Sequence, residues 1–445
     1  MINAQGAILR GAGWTLGSYV VSFVFRFATN VILARLLAPD ILGILVIVTT
    51  IRFGVELTSD FGINQNIIYS KKGEEPSFYN TAWTMQLLRG VLLFALCLLI
   101  AAPVANFYAI PVLAIQVSAV AFLFAGVGSL SLSLAVKNLD LIRRNIFDAV
   151  VDFLCLVVLI ALAYWSPTIW SVIIGGVLGS IIRAVSSFWL PSPQHRLMLT
   201  WRYVREIIGY GKWIFVSSLI FYASTNIDRL YLGKAAPLAV LGVYGIARSI
   251  ADVPAALAVR LSQFIVFPLV SSARGSRKEL RQQLAPMRMM FLFAAAAALS
   301  LAIAVADVVV AILYDQRYED AGWMLPVLLL GVWGAIVCSV NEAALLGVGR
   351  PAFAAIANGI RLACLALALP ASFSRFGLAG AVALIALSDL SRYIPILVGQ
   401  AHESFSFFFQ DVAATLVLVA LIALWLSLRV YLGWGTPFDA VPITF

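Results

Sequence analysis

The feature that most constrains this chain is its succession of apolar runs, each near the ~20 residues that one helix needs to cross a bilayer, separated by short polar or Pro/Gly breaks. Runs over residues 14–34, 41–69, 81–102, 112–136, 146–164 and 168–190 are followed by 210–233, 238–270, 290–313, 323–347, 352–370 and 377–398. A thirteenth candidate covers 411–431. Only 11% of the 445 residues are charged and 62% are hydrophobic, against about a quarter charged in soluble domains. Backbone polar groups in lipid must be satisfied within helices or closed barrels, and runs this long select helices. The expected fold is an all-α integral membrane protein of two six-helix transmembrane bundles related by an internal repeat, with a candidate extra C-terminal helix. The corresponding domains are 1–200, 201–400 and a tail, 401–445.

The net charge of +9 would suggest nucleic acid on a soluble protein. In a membrane chain basic residues instead record orientation, because Lys and Arg collect in cytoplasmic loops. With the N-terminus inside, the cytoplasmic breaks hold seventeen basic residues, Arg288 and Arg361 among them, and the opposite breaks five. The reading is a multi-pass protein of a bacterial inner membrane with a cytoplasmic N-terminus and an uncleaved first span. No nucleic-acid partner is expected.

Other classes are excluded by what is missing. The breaks on the outer side are too short for the loop that an enzyme acting on external sugars or lipids would need. No GxxxxGK[ST] phosphate loop occurs. The four cysteines lie singly in apolar runs, and the two histidines, His195 and His402, fall in polar breaks, so no metal or redox cluster is expected.

Two stretches align between the halves. Leu33 to Gly43 reads LARLLAPDILG and Leu232 to Gly242 reads LGKAAPLAVLG. Six spans per repeat keep both halves in one orientation, an arrangement found in transporters whose bundles rock about a central site.

Ionisable residues inside a span cost at least ~2.5 kcal/mol at the helix centre and face a cavity or a partner. Arg26 in span one and Arg52 in span two each lie roughly 18 Å along a ~30 Å core. Arg52 and Glu56 are four apart in span two, as are Arg248 and Asp252 in span eight, with Arg260 further along the same face. Four guanidiniums against two acids leave positive charge over, which predicts a cationic cavity and an anionic ligand. Guanidinium forks suit phosphate oxygens. Pro254 frees a carbonyl near Ile250 and predicts a hinge in span eight. Asp60, Asp228, Glu342 and Asp389 join Glu56 and Asp252 as candidates for ion coupling or charge pairing. Asp228 adjoins Arg229, Asp389 is three residues from Arg392, and Glu342 has no charged neighbour within a turn.

Three stretches resemble the Wzx-type polysaccharide flippases of the multidrug/oligosaccharidyl-lipid/polysaccharide exporter superfamily. Ala34 to Gly43, ARLLAPDILG, is similar to that family's first loop. Asp60 to Ile68, DFGINQNII, is similar to its D-(L/F)-G motif, and Asn226 to Gly233, NIDRLYLG, to its span-seven pattern. The resemblance implies a V-shaped pair of bundles that carries an undecaprenyl-pyrophosphate-linked oligosaccharide to the outer leaflet for exopolysaccharide, capsule or O-antigen synthesis. It implies a coupling ion, proton or sodium, and no other cofactor, with a polysaccharide polymerase and export machinery as candidate partners. Related lipid II flippases carry essential arginines in spans one, two and eight, the spans that here hold Arg26, Arg52 and Arg248 or Arg260. A lipid II flippase and a drug antiporter of the same superfamily are the alternatives, the second disfavoured by the arginine surplus.

Overall fold

In a computed structural model, the described residues are 17, 21, 22, 24–57, 59, 62–272 and 277–442. Their regular structure is helical, with no strand among them. The helices are α1 (24–36), α2 (Pro39–Leu57), α3 (Ile63–Tyr69), α4 (Pro76–Tyr108), α5 (Val112–Val127), α6 (Ser131–Lys137), α7 (Leu141–Trp165) and α8 (Ile169–Ser187). They continue with α9 (Trp201–Ala235), α10 (Leu238–Leu261), a π-helical turn (Ser262–Val266), α11 (Phe267–Ser272), α12 (Arg277–Ala304), α13 (Ala306–Leu313), α14 (Ala321–Gly347), α15 (Ala352–His402) and α16 (Phe408–Tyr431).

Several expected spans are broken. Span two splits at Gly62, whose backbone is left-handed. Span four bends by 53° between α5 and α6. Spans eleven and twelve form one helix of 51 residues by hydrogen bonding, interrupted at Gly377 with φ 60° and ψ −151°. At 1.5 Å per residue an unbroken α15 would measure more than twice the ~30 Å hydrocarbon core. Gly377 is the first residue of the second predicted run, and this backbone region is open to glycine alone. Eight helices among the described residues are long and apolar enough to cross a membrane, or nine with the bent pair counted as one span. The test passes over α2, whose Asp40, Arg52 and Glu56 interrupt its apolar composition. With the broken spans joined, α1 to α8 form one six-span bundle and α9 to α15 the second.

The chain divides into two compact units, one of residues 1–222 and 233–239, the other of 223–232 and 240–445. Helix α9 runs through the change of unit at residue 223. In the first unit α5 packs against α4 and α8, and α7 against α8. In the second, α14 packs along α15 and also meets α12 and α13. Its most apolar window is 78% buried, which fits a helix hydrophobic on all sides. The 411–431 run forms α16, which packs on α12 within the second unit.

Arg288 and Arg361 differ from the sequence expectation. Both were assigned to cytoplasmic breaks, yet both are buried inside helices and paired with acids.

Candidate functional site

The second unit pairs its buried and half-buried arginines with acids. Asp228 on α9 is buried, accepts a hydrogen bond from the Tyr244 hydroxyl and lies 3.9 Å from Arg248 Nε. The predicted Arg248/Asp252 pair forms at 2.9 Å, although Nε makes no hydrogen bond there. The other carboxylate oxygen of Asp252 accepts from Arg229 Nη2 at 3.0 Å, and Arg229 Nη1 donates to Asn226 Oδ1 at 3.1 Å. Asp228 takes the backbone N–H of Arg229 at 2.8 Å and lies within electrostatic reach of that residue's charge, while the Arg229 guanidinium hydrogen-bonds across to α10.

A second group continues the network. Asp389 pairs with Arg361 at 3.5 Å and with Arg392 at 3.2 Å, and Arg392 Nη2 donates to Glu342 Oε2 at 2.9 Å. Asp389 lies within electrostatic reach of Arg248. Glu342, read in sequence as a carboxyl with no charged neighbour within a turn, has its partner on another helix. Arg229, Arg248, Arg361 and Arg392 thus face Asp228, Asp252, Glu342 and Asp389, four cations to four anions. Buried charges persist in a low dielectric only when so compensated. A third cluster joins α12, α14 and α16: Arg288 donates to Asp411 and, at 3.0 Å, to Asn341 Oδ1, while Asp411 accepts from Asn341 and Tyr393.

The first unit is less balanced. Arg183 on α8 donates to Asp148 at 2.9 Å and to Asp152 at 3.2 Å on α7. Arg26 approaches Asp152 at 3.8 Å with its side chain 74% exposed. Arg52 on α2 is half-buried, and among the described residues it has no ion-pair partner. The expected pair with Glu56 does not form; Glu56 is exposed, and its carbonyl oxygen instead accepts from Arg89 Nη2 at 2.7 Å. With arginine preceding the acid, the i,i+4 order is the weaker one on a helix, and no second cation holds Glu56 as Arg229 holds Asp252. Arg89 Nε donates to Ser59 Oγ at 2.8 Å. Half-buried on α4, Arg89 is tied to neutral acceptors among the described residues.

The predicted arginines therefore divide two and two. Arg26 and Arg52 belong to the first unit, and Arg248 and Arg260 to the second, with Arg260 exposed on the last turn of α10. Asp60 lies outside the described residues. Pro254 sits within α10, which runs on to Leu261 before the π-helical turn. Sequence reasoning passed over Arg89 and Arg183, although a single basic residue deep in an apolar run was the signal that singled out Arg26 and Arg52.

Comparison with known proteins follows this geometry. The chain is 20% identical over 358 residues to the succinoglycan biosynthesis transport protein ExoT of Rhizobium meliloti (strain 1021), covering 79% of this chain and 71% of that one. It is 23% identical over 280 residues to the lipopolysaccharide biosynthesis protein WzxC of Escherichia coli (strain K12), covering 61% and 56%. Among solved structures, the inward closed conformation of the lipid II flippase MurJ superposes with a TM-score of 0.74 over 93% of this chain and 92% of that one, at 13% identity. At that identity the likeness is one of fold. A family described as polysaccharide biosynthesis protein matches residues 32–322. The chain belongs to this polysaccharide biosynthesis protein family, of the Wzx-type flippases that its motifs resemble.

Proposed function

We propose that this protein is a flippase of the inner membrane, with a cytoplasmic N-terminus. It moves an undecaprenyl-pyrophosphate-linked oligosaccharide between leaflets by alternating access, without chemical change to it. The observation that carries the anionic substrate is the pair of half-buried arginines on α2 and α4, Arg52 and Arg89, which have no carboxylate partner among the described residues. Polysaccharide relatives and a transporter fold support the wider reading. Arg26, exposed in the same unit, is a further contact for pyrophosphate. Arg248, already matched by acids, serves the packing and coupling of the second unit, where Asp228, Asp252, Glu342 and Asp389 are the ion-coupling candidates.

Deletion tests this reading. Lipid-linked oligosaccharide should accumulate in the inner leaflet, and mass spectrometry identifies the glycan. Wild type should clear it, while Arg52→Glu and Arg89→Glu, inserted at normal levels, should not. Full clearance by both variants would overturn the cationic site. Rescue of a strain depleted of its peptidoglycan flippase would assign lipid II instead.

A further inference from the structure

The connector between α8 and α9, residues 191–200, has no helix or strand, yet it is fastened to the first unit along its length. The backbone N–H groups of Arg196, Met198 and Thr200 donate to Asn80 Oδ1 (2.9 Å), Thr84 Oγ1 (3.0 Å) and Thr81 Oγ1 (3.3 Å). These three acceptors are buried at the start of α4, a ladder that replaces water for alternate amides of an extended strap. His195 anchors the same stretch. Its Nε2 lies 3.2 Å from the Tyr79 hydroxyl and 3.1 Å from Ser129 Oγ, with the rings of Tyr79, Trp83 and Phe188 packed around it at 5.5, 5.0 and 4.8 Å.

Pinning the strap leaves an apolar row outward. Leu197, Leu199 and Trp201, at alternate positions, are each more than half exposed, as is Trp189. A water-facing connector has no use for such a row. The exposed Arg196, Arg202 and Arg205 flank it, and residues 188–205 contain no acid. Irregular backbone is excluded from the hydrocarbon region itself, so the strap belongs at its boundary, where α4 already takes the amides of Arg196, Met198 and Thr200. Exposed Trp beside Arg is the composition of a membrane interface.

We infer that this strap is an interfacial anchor: its Trp/Leu row lies in the headgroup-to-acyl boundary, and its arginines bind the phosphates of anionic lipids. The occupant is the leaflet itself, selected by charge complementarity and the unpartnered apolar row. The inference is independent of which substrate is moved.

Spin labels in the full chain test it. Leu197→Cys and Leu199→Cys, each placed in a background with the native cysteines replaced, are compared with Glu74→Cys in the exposed turn before α4. The proteins are reconstituted in nanodiscs of phosphatidylcholine with or without phosphatidylglycerol. The strap labels should be several-fold more accessible to oxygen than to a water-soluble nickel chelate, relative to position 74, and deeper when phosphatidylglycerol is present. Replacing Arg196, Arg202 and Arg205 by Gln should abolish that lipid dependence. Chelate access equal to that at position 74 would overturn the proposal, as would labels shielded from both reagents, the sign of a protein partner. Equal depth in both lipid mixtures would overturn the role of the arginines.

Discussion

Replacing Arg288 by Met should cost far more than removing most charges in this chain. Arg288 and Asp411 are 3% and 5% exposed, and the pair ties α12 to α16. Removing one member of a buried pair leaves an uncompensated charge, at about 3–5 kcal/mol. Asn341 and Tyr393 still donate to Asp411, at 3.0 and 2.8 Å, so the lower half of that range is expected. In Arg288→Met/Asp411→Asn no charge remains, and the new amide can still accept from both donors. The residual cost is the hydrogen bonds that Arg288 made to Asn341 and Gln410, about 1–2 kcal/mol together. The double variant should therefore be more stable than Arg288→Met alone by roughly 2 kcal/mol, a coupling of the size seen within shared networks. The assay is the thermal midpoint of detergent-solubilised protein, followed by fluorescence-detected gel filtration, for wild type, both single variants and the double. A double variant no more stable than Arg288→Met would show that the ion pair is not what holds α16 to this unit.

Two further outcomes follow from local geometry. A Cβ at Gly331 would lie 2.3 Å from the Ala386 carbonyl oxygen and 2.5 Å from its Cα, so Gly331→Ala should force α14 from α15 at about 1–3 kcal/mol. Ala386→Gly should not rescue it, because the clash is with backbone; the same thermal assay reads both. Burial holds the His195 imidazole below its ordinary 6.5, so the fold binds fewer protons there than the unfolded chain does. The contribution of His195 is fully present above 6.5 and is lost as pH falls through the lower folded value. His195→Phe should flatten that slope, measured as pH-dependent proteolysis of the strap; an unchanged slope would refute the assignment.

Helix positions were legible because apolar runs and lipid thickness together leave few choices. The break between 370 and 377 appeared as a gap in hydropathy, and Gly377 is where the backbone leaves the helix. Charge pairing was legible only where partners share a helix, as for Arg248 and Asp252. Glu342 and Arg392 are 50 residues apart and meet at 2.9 Å, and Arg288 finds Asp411 at the far end of the chain. No local pattern records such a contact, since it depends on which faces of two helices meet. The counting of loop charges failed at Arg288 and Arg361 for the same reason, as their partners lie on other helices or beyond the break at Gly377.

Which arginines matter to an anion therefore depends less on depth than on what already surrounds each one. A guanidinium held by two carboxylates, as Arg248 is by Asp228 and Asp252, has little charge left to offer and would have to break a buried pair to bind a phosphate. Arg89 is different. Its contacts, a hydroxyl and a carbonyl, orient the fork without cancelling its charge, which is the condition for a preorganised anion site. Arg52 lies one helical turn before Glu56, the residue whose carbonyl braces Arg89. An anion approaching α2 and α4 of the first unit thus meets two positive groups and displaces no carboxylate of the described residues. The comparison that isolates this effect is Arg→Lys. At Arg89 the point charge remains but the two braced hydrogen bonds are lost, so transport should fall while insertion and thermal stability hold. At Arg248 the same change weakens the hold on buried Asp228 and partly exposed Asp252, so stability should fall first. If Arg89→Lys instead destabilised the protein and Arg248→Lys spared it, the division between binding and structural arginines would be reversed.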